Sequence, residues 1–455
     1  MGKTKELNIA YIGGGSRGWA WGLMKDLALE ELLSGTVRLY DIDFDAAYAN
    51  EVIGNNLSKR EDAKGDWKYI AVKSLEEALT GADFIIISIL PGSFELMRSD
   101  VHTPEKYGIY QSVGDTVGPG GILRAMRTVP MYVEIAEAIK KYSPNARVIN
   151  YTNPMTVCVQ TLYTIFPEIK AVGCCHEVFD IQNVMVKILD MKLGIKAERE
   201  EIVLNVKGIN HFTWIDEASY KDVDLIPLFD EVAREYKDKG FSLKEEEEED
   251  FFANHHKVTF DLYLEHSVIP VAGDRHISEF VGNKYLKNPG TVKEWGFGLT
   301  PVDWRTERRE ELIEQSKRLV SGEEQIDLRS SGEEGVKQIK ALLGMENMIT
   351  NVNYINRGQV ENLPLGHIVE TNVSISRDSL KPIFAGKFIG MPLTSTLRHI
   401  ENQRGIVEAG IKKDKELAKK VFLNDTLVST IPREEGKKMF EEMFEATKSE
   451  LEGWK

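Results

Sequence analysis

Short apolar runs alternate with segments of helical periodicity through the first two hundred residues. Residues 7–12 form an apolar strand candidate, a glycine-rich turn follows, and the pattern over 19–33 predicts a helix. Similar patterns predict further strands at 36–41, 83–88, 147–151 and 170–173, and a helix at 129–142. Strands that alternate with helices favour a parallel, doubly wound α/β sheet. We therefore predict a Rossmann-type domain over residues 1–200.

The pattern changes after about residue 200. A strand is expected at 202–208, long polar helical stretches follow, and the last eighty residues have the pattern of amphipathic helices. Three short runs, at 351–356, 359–361 and 367–373, predict strands of a second sheet. The acidic run 245–250 is typical of a solvated helix start or a loop. We assign residues 201–455 to a C-terminal α+β domain for substrate and metal binding and for oligomerisation.

Composition narrows the class of protein. The chain has 455 residues, 42% of them hydrophobic, and a formal charge of -15, which argues against nucleic acid or an anionic membrane as partner. Its longest apolar run, 84–90, is too short to span a bilayer. Only Cys158, Cys174 and Cys175 are available for disulfides, so a reducing, cytoplasmic location is expected. The N-terminus leads straight into a strand, and we expect no signal peptide.

A dinucleotide-binding fingerprint follows the first strand. Gly13, Gly15 and Gly18 fit G-x-G-x-x-G between a strand and a helix, a spacing that permits a tight turn, close approach of the pyrophosphate and helix packing. Asp41 ends a strand about twenty residues later, where an acid would contact the ribose and disfavour a 2′-phosphate. NAD is therefore predicted rather than NADP. The predicted cofactor-binding residues are Gly13, Gly15, Ser16, Arg17, Gly18 and Asp41.

A second glycine-rich segment, 114–128, begins another predicted helix. Its backbone amides, with Arg124 and Arg127, could hold an anion or substrate hydroxyls, or the arginines could pair with acids on the helix surface. Asp115 could cap the helix or act as a general acid facing a cleft.

A cysteine and a histidine provide candidate metal ligands. The cysteine lies in the segment Gly173-Cys174-Cys175-His176-Glu177, and the histidine is His211 in Gly208-Ile209-Asn210-His211. A thiolate and an imidazole suit a first-row transition metal with open coordination positions. Beside a dinucleotide site, they indicate hydride chemistry on a metal-chelated polyol.

Together these motifs resemble glycoside hydrolase family 4, the NAD- and divalent-metal-dependent glycosidases. The resemblance covers nearly the whole chain. It rests on Ile12-Gly13-Gly14-Gly15-Ser16, Gly118-Pro119-Gly120-Gly121 with Arg127, Thr152-Asn153-Pro154, Gly173-Cys174-Cys175-His176-Glu177-Val178, Gly208-Ile209-Asn210-His211 and Asn362-Leu363-Pro364.

The resemblance implies a fold like that of lactate and malate dehydrogenases, Mn²⁺ as the metal, and a specific reaction sequence. NAD⁺ removes hydride from C3 of the sugar, a base removes the acidified C2 proton, and the glycosidic oxygen leaves C1 by elimination, helped by an acid. Water then adds, and the bound NADH reduces C3 again, so no net oxidation occurs.

Site residues follow by position in the family motifs. Cys175 and His211 become the metal ligands, Asn153 contacts the sugar near C2 and C3, and Asp115 lies near the leaving group. Several members use a tyrosine as the C2 base, but residues 271–280 contain no tyrosine. Asp274 is the predicted base and His276 the alternative.

The residues after the metal cysteine indicate the substrate. By resemblance, His176 predicts an unphosphorylated sugar and Glu177 predicts a uronic acid, with α-galacturonide preferred. Glu177 could instead bond a sugar hydroxyl or a backbone amide. A carboxylate substrate requires a guanidinium, which Arg275 or Arg124 could supply.

Other functions stay open at this stage. α-Glucuronidase is the first alternative, followed by α-glucosidase or α-galactosidase. A hydroxy-acid dehydrogenase shares the first domain's pattern but needs no Cys/His metal pair, and a non-enzymatic NAD or sugar sensor would tolerate its loss. The resemblance also implies a homodimer or homotetramer.

Overall fold

The computed structural model of the protein describes residues 5–243 and 251–455. Within them, thirteen strands form one sheet, in which eleven strands follow the order β10-β8-β7-β12-β11-β6-β5-β4-β1-β2-β3 while β13 pairs with β12 and β9 with β8. The strands are β1 Lys5–Ile12, β2 Leu33–Tyr40, β3 Asp66–Val72, β4 Phe84–Ile87, β5 Arg147–Asn150, β6 Lys170–Gly173, β7 Ile202–Ile209, β8 Phe212–Tyr220, β9 Val223–Asp224, β10 Ile269–Val271, β11 Met348–Ile355, β12 Ile368–Ser376 and β13 Ser379–Pro382.

Helices cover the sheet. They are α1 Trp19–Ala28, α2 Phe44–Leu57, α3 Leu75–Leu79, α4 Phe94–His102, α5 Gly118–Tyr142, α6 Met155–Ile165, α7 Glu177–Leu193, α8 Ile226–Tyr236, α9 Lys257–His266, α10 Asp274–Phe280, α11 Pro289–Glu294, α12 Val302–Ser321, α13 Gly335–Leu342, α14 Gly390–Lys412, α15 Lys415–Leu423 and α16 Arg433–Thr447. None of those in the described ranges is long and apolar enough to cross a membrane.

The first six strands confirm the predicted Rossmann-type sheet. These six strands pair with one another in parallel, in the order β3-β2-β1-β4-β5-β6. This is the order of dinucleotide-binding folds. The strand β4 has the sequence Phe-Ile-Ile-Ile and is buried at every position, as a strand covered by helices on both faces must be. The order reverses between β1 and β4, so a ligand crevice is expected beyond the carboxyl ends of these two strands.

The prediction of a second sheet is wrong. The strand β11 pairs along its full length with β12, but Asn353 also pairs with Gly173 at the end of β6. That contact makes the antiparallel strands an extension of the parallel sheet. Residues 359–361 are not a strand and contribute only the bridge between Val360 and Gly386. The division at residue 200 stays a prediction.

The helix α5 links the two halves of the chain. It begins at Gly118, eleven residues before the predicted start, and its Leu123, Met126 and Val129 share a buried cluster with Ile400 of α14. Burial of these aliphatic side chains stabilises the contact by roughly 1.5–3 kcal/mol each. The C-terminal helices thereby hold the start of α5 in place. The acidic run 245–250 lies outside the described residues.

Candidate active site

A glycine-rich loop closes the carboxyl end of β1. Gly13 has φ +91, and a Cβ there would overlap the carbonyl oxygen of Ser88 beyond β4. A Cβ on Gly15 would meet Ala46 Cβ at 2.8 Å. There is therefore no room for side chains at Gly13 and Gly15, at the point where the strand order reverses. The loop leads into the N-terminus of α1, where backbone N–H groups favour an anion.

Two predicted cofactor residues shape this loop with their side chains. Asp41 accepts hydrogen bonds from the backbone N–H of Gly15 at 2.8 Å and of Asp43 at 2.9 Å, and Ser16 Oγ accepts one from Trp19 N at 3.2 Å. Arg17 has a buried Nε with no hydrogen-bond partner, an arrangement that fits a bound anion.

Gly18 does not have the packing role predicted for it. No atom lies within 4 Å of a Cβ built on Gly18, so nothing there requires a glycine for helix–strand contact. Close packing occurs instead at Gly14, whose Cβ would meet Leu39 Cα at 2.8 Å.

The remaining site residues come from five segments beside this edge of the sheet. Asn153 follows β5, Cys175 follows β6 and Asp115 precedes α5, while His211 lies in the β7–β8 turn and His276 on α10. Parallel strands bring their carboxyl ends to one edge, which accounts for Asn153 and Cys175. The other three approach from loops and from the antiparallel strands.

A hydrogen-bond relay fixes the ring of His211. Thr116 Oγ1 donates to Asp115 Oδ1 at 2.7 Å and lies 3.0 Å from His211 Nδ1. Since the hydroxyl has one proton and gives it to Asp115, it accepts from Nδ1–H, and Nε2 keeps its lone pair. A hydrogen bond to the other ring nitrogen selects the tautomer and orientation of a metal-binding histidine.

The turn that contains His211 is strained. Only Asn210 and His211 connect β7 to β8, and His211 has φ 61. A left-handed conformation in a residue other than glycine costs about 1 kcal/mol.

Burial lowers the pKa of His211 to about 3, so the imidazole is neutral near pH 7 and able to bind a metal.

His276 completes a cluster of three ligand-type side chains. One ligand atom each from Asp115, His211 and His276 lies within 4.8 Å of the others, and the two imidazole rings are 4.0 Å apart between centroids. Burial lowers the pKa of His276 to about 4, and Glu177 Oε2 lies 3.7 Å from its Nδ1. His276 is thus a neutral base with a carboxylate beside it.

Cys175 lies next to this cluster but is not one of the three. Burial raises the pKa of its thiol well above the usual range, and the charges of Glu370 and Glu177 act in the same direction. Glu370 accepts hydrogen bonds from Asn210 Nδ2 at 3.3 Å and Asn351 Nδ2 at 2.8 Å. The thiol becomes a ligand only when a cation stabilises its deprotonated form.

Asn153 has a buried oxygen available for a ligand. Its Nδ2 donates to Asp115 Oδ2 at 3.3 Å, while Oδ1 is buried without a hydrogen-bond partner. The buried Oδ1 of Asn210 also has none. Because an unpartnered buried oxygen is costly, both fit a site that a metal ion or sugar hydroxyls would fill.

The two arginines predicted to bind substrate are already held by the backbone. Arg124 Nε donates to the carbonyl of Asn153 at 3.1 Å. Arg275 donates to the carbonyls of Ser112 at 2.5 Å and Gly298 at 3.2 Å. Both are buried and hold the walls of the site.

His176 and Glu177, also predicted to bind substrate, lie in different environments. His176 has a side chain 53% exposed, lies 3.1 Å from Glu333 Oε1 and stacks on Trp19 at 6.3 Å between centroids. Glu177 is mostly buried and accepts from Gly273 N at 2.7 Å, which matches the backbone-amide alternative considered for it.

Two predicted catalytic roles do not fit these positions. Asp274 is fully buried and its carboxylate accepts from Val258 N, Thr259 N and Thr259 Oγ1, so it caps α9 rather than facing a substrate. Burial would raise the pKa of Asp115, but Arg124 and the two neighbouring histidines outweigh it and lower the pKa to about 2. This lowered pKa favours an ionised carboxylate that accepts hydrogen bonds over a proton donor.

Three residues near the site were not predicted. Thr116 orients His211, Glu279 accepts from Val113 N and Gly114 N and so supports the loop of Asp115, and Arg305 of α12 faces the same group of charges. Only Thr116, which directly follows Asp115, could have been suspected from the sequence.

Comparison with known proteins agrees with this arrangement. The family 4 glycosyl hydrolase model matches residues 8–191, and the model of the family's C-terminal domain matches residues 206–428. An alpha-galacturonidase of Thermoanaerobacterium saccharolyticum is 57% identical over 458 residues, covering 100% of this chain and 98% of the relative.

Solved structures share the fold. The crystal structure of lplD from Bacillus subtilis has a TM-score of 0.92 at 48% identity, covering 97% of this chain and 100% of that one. A 6-phospho-alpha-glucosidase from gut microorganisms, solved with NAD and Mn²⁺, has a TM-score of 0.81 at 20% identity, covering 98% and 99%. By its sequence and by its fold, the chain belongs to family 4 of the glycosyl hydrolases.

Proposed function

We propose that this protein is an α-galacturonidase that hydrolyses unphosphorylated α-galacturonides with NAD⁺ and a divalent cation such as Mn²⁺. The observation that carries the proposal is the relay from Asp115 through Thr116 to His211, placed beside a dinucleotide-type loop. The substrate class is supported by the full-length likeness to the alpha-galacturonidase of Thermoanaerobacterium saccharolyticum.

The residues present fit both groups. The loop of Gly13 to Gly15 offers backbone atoms and a helix N-terminus to a pyrophosphate, with Arg17 beside it. His211 Nε2 and the Cys175 thiol form a mixed N and S donor set suited to a first-row transition metal, and the unpartnered Asn153 Oδ1 is left for a sugar hydroxyl. When bound, NAD⁺ accepts and returns a hydride at C3, while the cation polarises the sugar oxygens.

The side chains divide the remaining work. His211 and Cys175 hold the cation, and Asn153 orients the hydroxyls at C2 and C3. His276 accepts the C2 proton at Nε2, because Nδ1–H then faces Glu177 Oε2 at 3.7 Å and the carboxylate stabilises the imidazolium. Asp115 stays ionised and holds Thr116 and Asn153 in position.

This division replaces Asp274 with His276 as the C2 base, and two variants distinguish them. His276→Gln is expected to slow turnover by roughly 100-fold or more while the melting temperature stays close to that of the wild type. Asp274→Asn is expected to destabilise the fold by roughly 1–3 kcal/mol with a smaller effect on turnover. Loss of turnover in Asp274→Asn at unchanged stability would restore Asp274 as the base.

The substrate proposal is tested with p-nitrophenyl α-galacturonide, beside the corresponding α-glucuronide, α-glucoside and α-galactoside. Hydrolysis of the galacturonide should require NAD⁺ and Mn²⁺ together, with no net accumulation of NADH. Preference for another glycoside would reassign the substrate, and net NADH would indicate a dehydrogenase.

The predicted homodimer or homotetramer and the cytoplasmic location remain part of this proposal. Light scattering after size-exclusion chromatography measures the oligomeric state directly.

A further inference from the structure

The substrate of the proposed function has a carboxylate at C5, and an anion of this kind needs a cationic partner in a desolvated site. Three arginines lie around the charged cluster: Arg124, Arg275 and Arg305. They differ in how much of their hydrogen-bonding capacity the protein already uses.

Arg124 and Arg275 serve the protein's own structure. Arg124 is tied to the Asn153 carbonyl and lies beside the ionised Asp115, the acid with the largest effect on its pKa. Arg275 is bonded to two loop carbonyls and stacks on Phe252, with 4.8 Å from its guanidinium carbon to the ring centroid. Both guanidiniums therefore already donate to backbone carbonyls in the walls of the site.

Arg305 is different. It lies in the first turn of α12, and its guanidinium carbon is 5.5 Å from the centroid of the same Phe252 ring that Arg275 contacts. Its Nε is buried without a hydrogen-bond partner. Across residues 5–243 and 251–455, no hydrogen bond or ion pair is formed by its guanidinium. Arg305 is half-buried, and a buried Nε without a partner is costly unless a ligand satisfies it.

Charge effects connect Arg305 with the groups around the proposed base. Burial lowers the pKa of Arg305, and the charge of Asp115 opposes that shift. Burial has the largest effect on the pKa of His276. The charges of Asp115, Arg275, His176 and Arg305 have smaller effects on it. Arg305 therefore belongs to the same electrostatic environment as the proposed base.

We propose that Arg305 is the specificity-determining residue that binds the carboxylate of the uronic acid. The inference rests on the proposed function and deepens it. A planar guanidinium can bind a carboxylate through two parallel N–H···O bonds. A neutral hexoside would leave the buried Nε of Arg305 unpaired, and a site of this kind rejects an analogue that lacks the matching polar group.

The test compares Arg305→Met and Arg305→Lys with the wild type, and uses Arg309→Met as the matched control. Arg309 is exposed on the same helix, one turn further along. For each protein, kcat/KM is measured with p-nitrophenyl α-galacturonide and with the α-galactoside, in the presence of NAD⁺ and Mn²⁺.

Arg305→Met should lower the ratio of galacturonide to galactoside kcat/KM by roughly 10- to 100-fold, the effect expected for one charge-assisted interaction. Most of the loss should be in KM. Arg305→Lys, which retains the charge but loses the fork, should give a smaller loss. Arg309→Met should leave the ratio within about twofold. If Arg305→Met fails to fold, as judged from its melting temperature, the Arg305→Lys ratio decides.

An unchanged ratio in a folded Arg305 variant would overturn the proposal. Failure of the proposed function is distinguished by calorimetry with free galacturonate and galactose on the protein loaded with NAD⁺ and Mn²⁺. The wild type could hydrolyse neither glycoside and still bind galacturonate more tightly than galactose. If Arg305→Met then loses this difference in affinity, the proposed function fails while the role of Arg305 stands. Equal binding of the two sugars by the wild type would overturn the role of Arg305.

Discussion

The two sides of the site use different parts of the chain. On the nucleotide side, backbone atoms form the site. They make a tight loop after β1, in which Gly13 packs against Ser88 and Gly15 against Ala46. On the metal side, side chains do it, and the key bond joins Thr116 to His211, which are 95 residues apart. The nucleotide side therefore depends on the absence of side chains, and the metal side on their precise placement. Substitutions should separate the two sides.

The largest effect is expected from His211→Ala. Removing the oriented Nε2 should abolish metal-dependent turnover, by at least about 1000-fold, and leave NAD⁺ binding by calorimetry close to that of the wild type. Within residues 5–243 and 251–455, no hydrogen bond joins Asp41 or the glycine loop to His211. His102→Ala, at the end of α4, controls for the loss of an imidazole. Normal turnover in His211→Ala would refute the metal assignment.

The converse variant is Gly13→Ala. The added Cβ would overlap the Ser88 carbonyl at a left-handed φ, so the loop must shift and NAD⁺ binding should weaken by at least about tenfold, while Mn²⁺ binding persists. Gly81→Ala is the matched control, because it also has a left-handed φ (+69) but a Cβ there meets nothing within 4 Å among the described residues. Equal effects at positions 13 and 81 would contradict a requirement for glycine at position 13.

A more moderate effect is expected from Thr116→Val. The variant keeps the shape of the side chain but removes the hydroxyl between Asp115 and His211 Nδ1. Loss of such an outer-shell partner should weaken Mn²⁺ binding by roughly 10- to 100-fold, with NAD⁺ binding retained. Titration of Mn²⁺ by calorimetry measures this, and wild-type affinity would show that the relay does not orient His211.

The smallest effect concerns stability against pH at Glu279. Burial raises the pKa of Glu279 from 4.5 to about 8. Between those pH values the folded protein retains a proton that the unfolded chain has lost. Stability should therefore fall as pH rises through this window, by at most ~1.4 kcal/mol per pH unit for this group.

Glu279→Gln cannot titrate and preserves an acceptor for the two loop amides. Thermal unfolding of the protein without metal or NAD⁺ should therefore show a flatter pH profile for the variant between about pH 4.5 and 8. Parallel profiles for variant and wild type would contradict a protonated Glu279.

The same contrast explains how far the sequence predicted the molecule. The apolar run 84–87 is a buried parallel strand, and the spacing of Gly13, Gly15 and Asp41 is local, so the fold of the nucleotide side followed from pattern alone. The strands β11 and β6 are joined by the single pairing of Asn353 with Gly173. No pattern in the sequence around either residue predicts this pairing.

The proposed base differs from the predicted one for a related reason. An aspartate at the start of a short helix has the same sequence context whether it faces a cleft or, as Asp274 does, caps the preceding helix α9. The position of Arg305 likewise results from the packing of α12 near Phe252. Both depend on tertiary contacts.

The most direct test of the central claim is hydrolysis of the α-galacturonide in D₂O, with the galacturonate product followed by proton NMR. If a base removes and solvent restores the C2 proton, the product should contain deuterium at C2, and His276→Gln should slow its incorporation together with turnover. A product that retains its C2 proton in full would contradict the proposed oxidation and elimination.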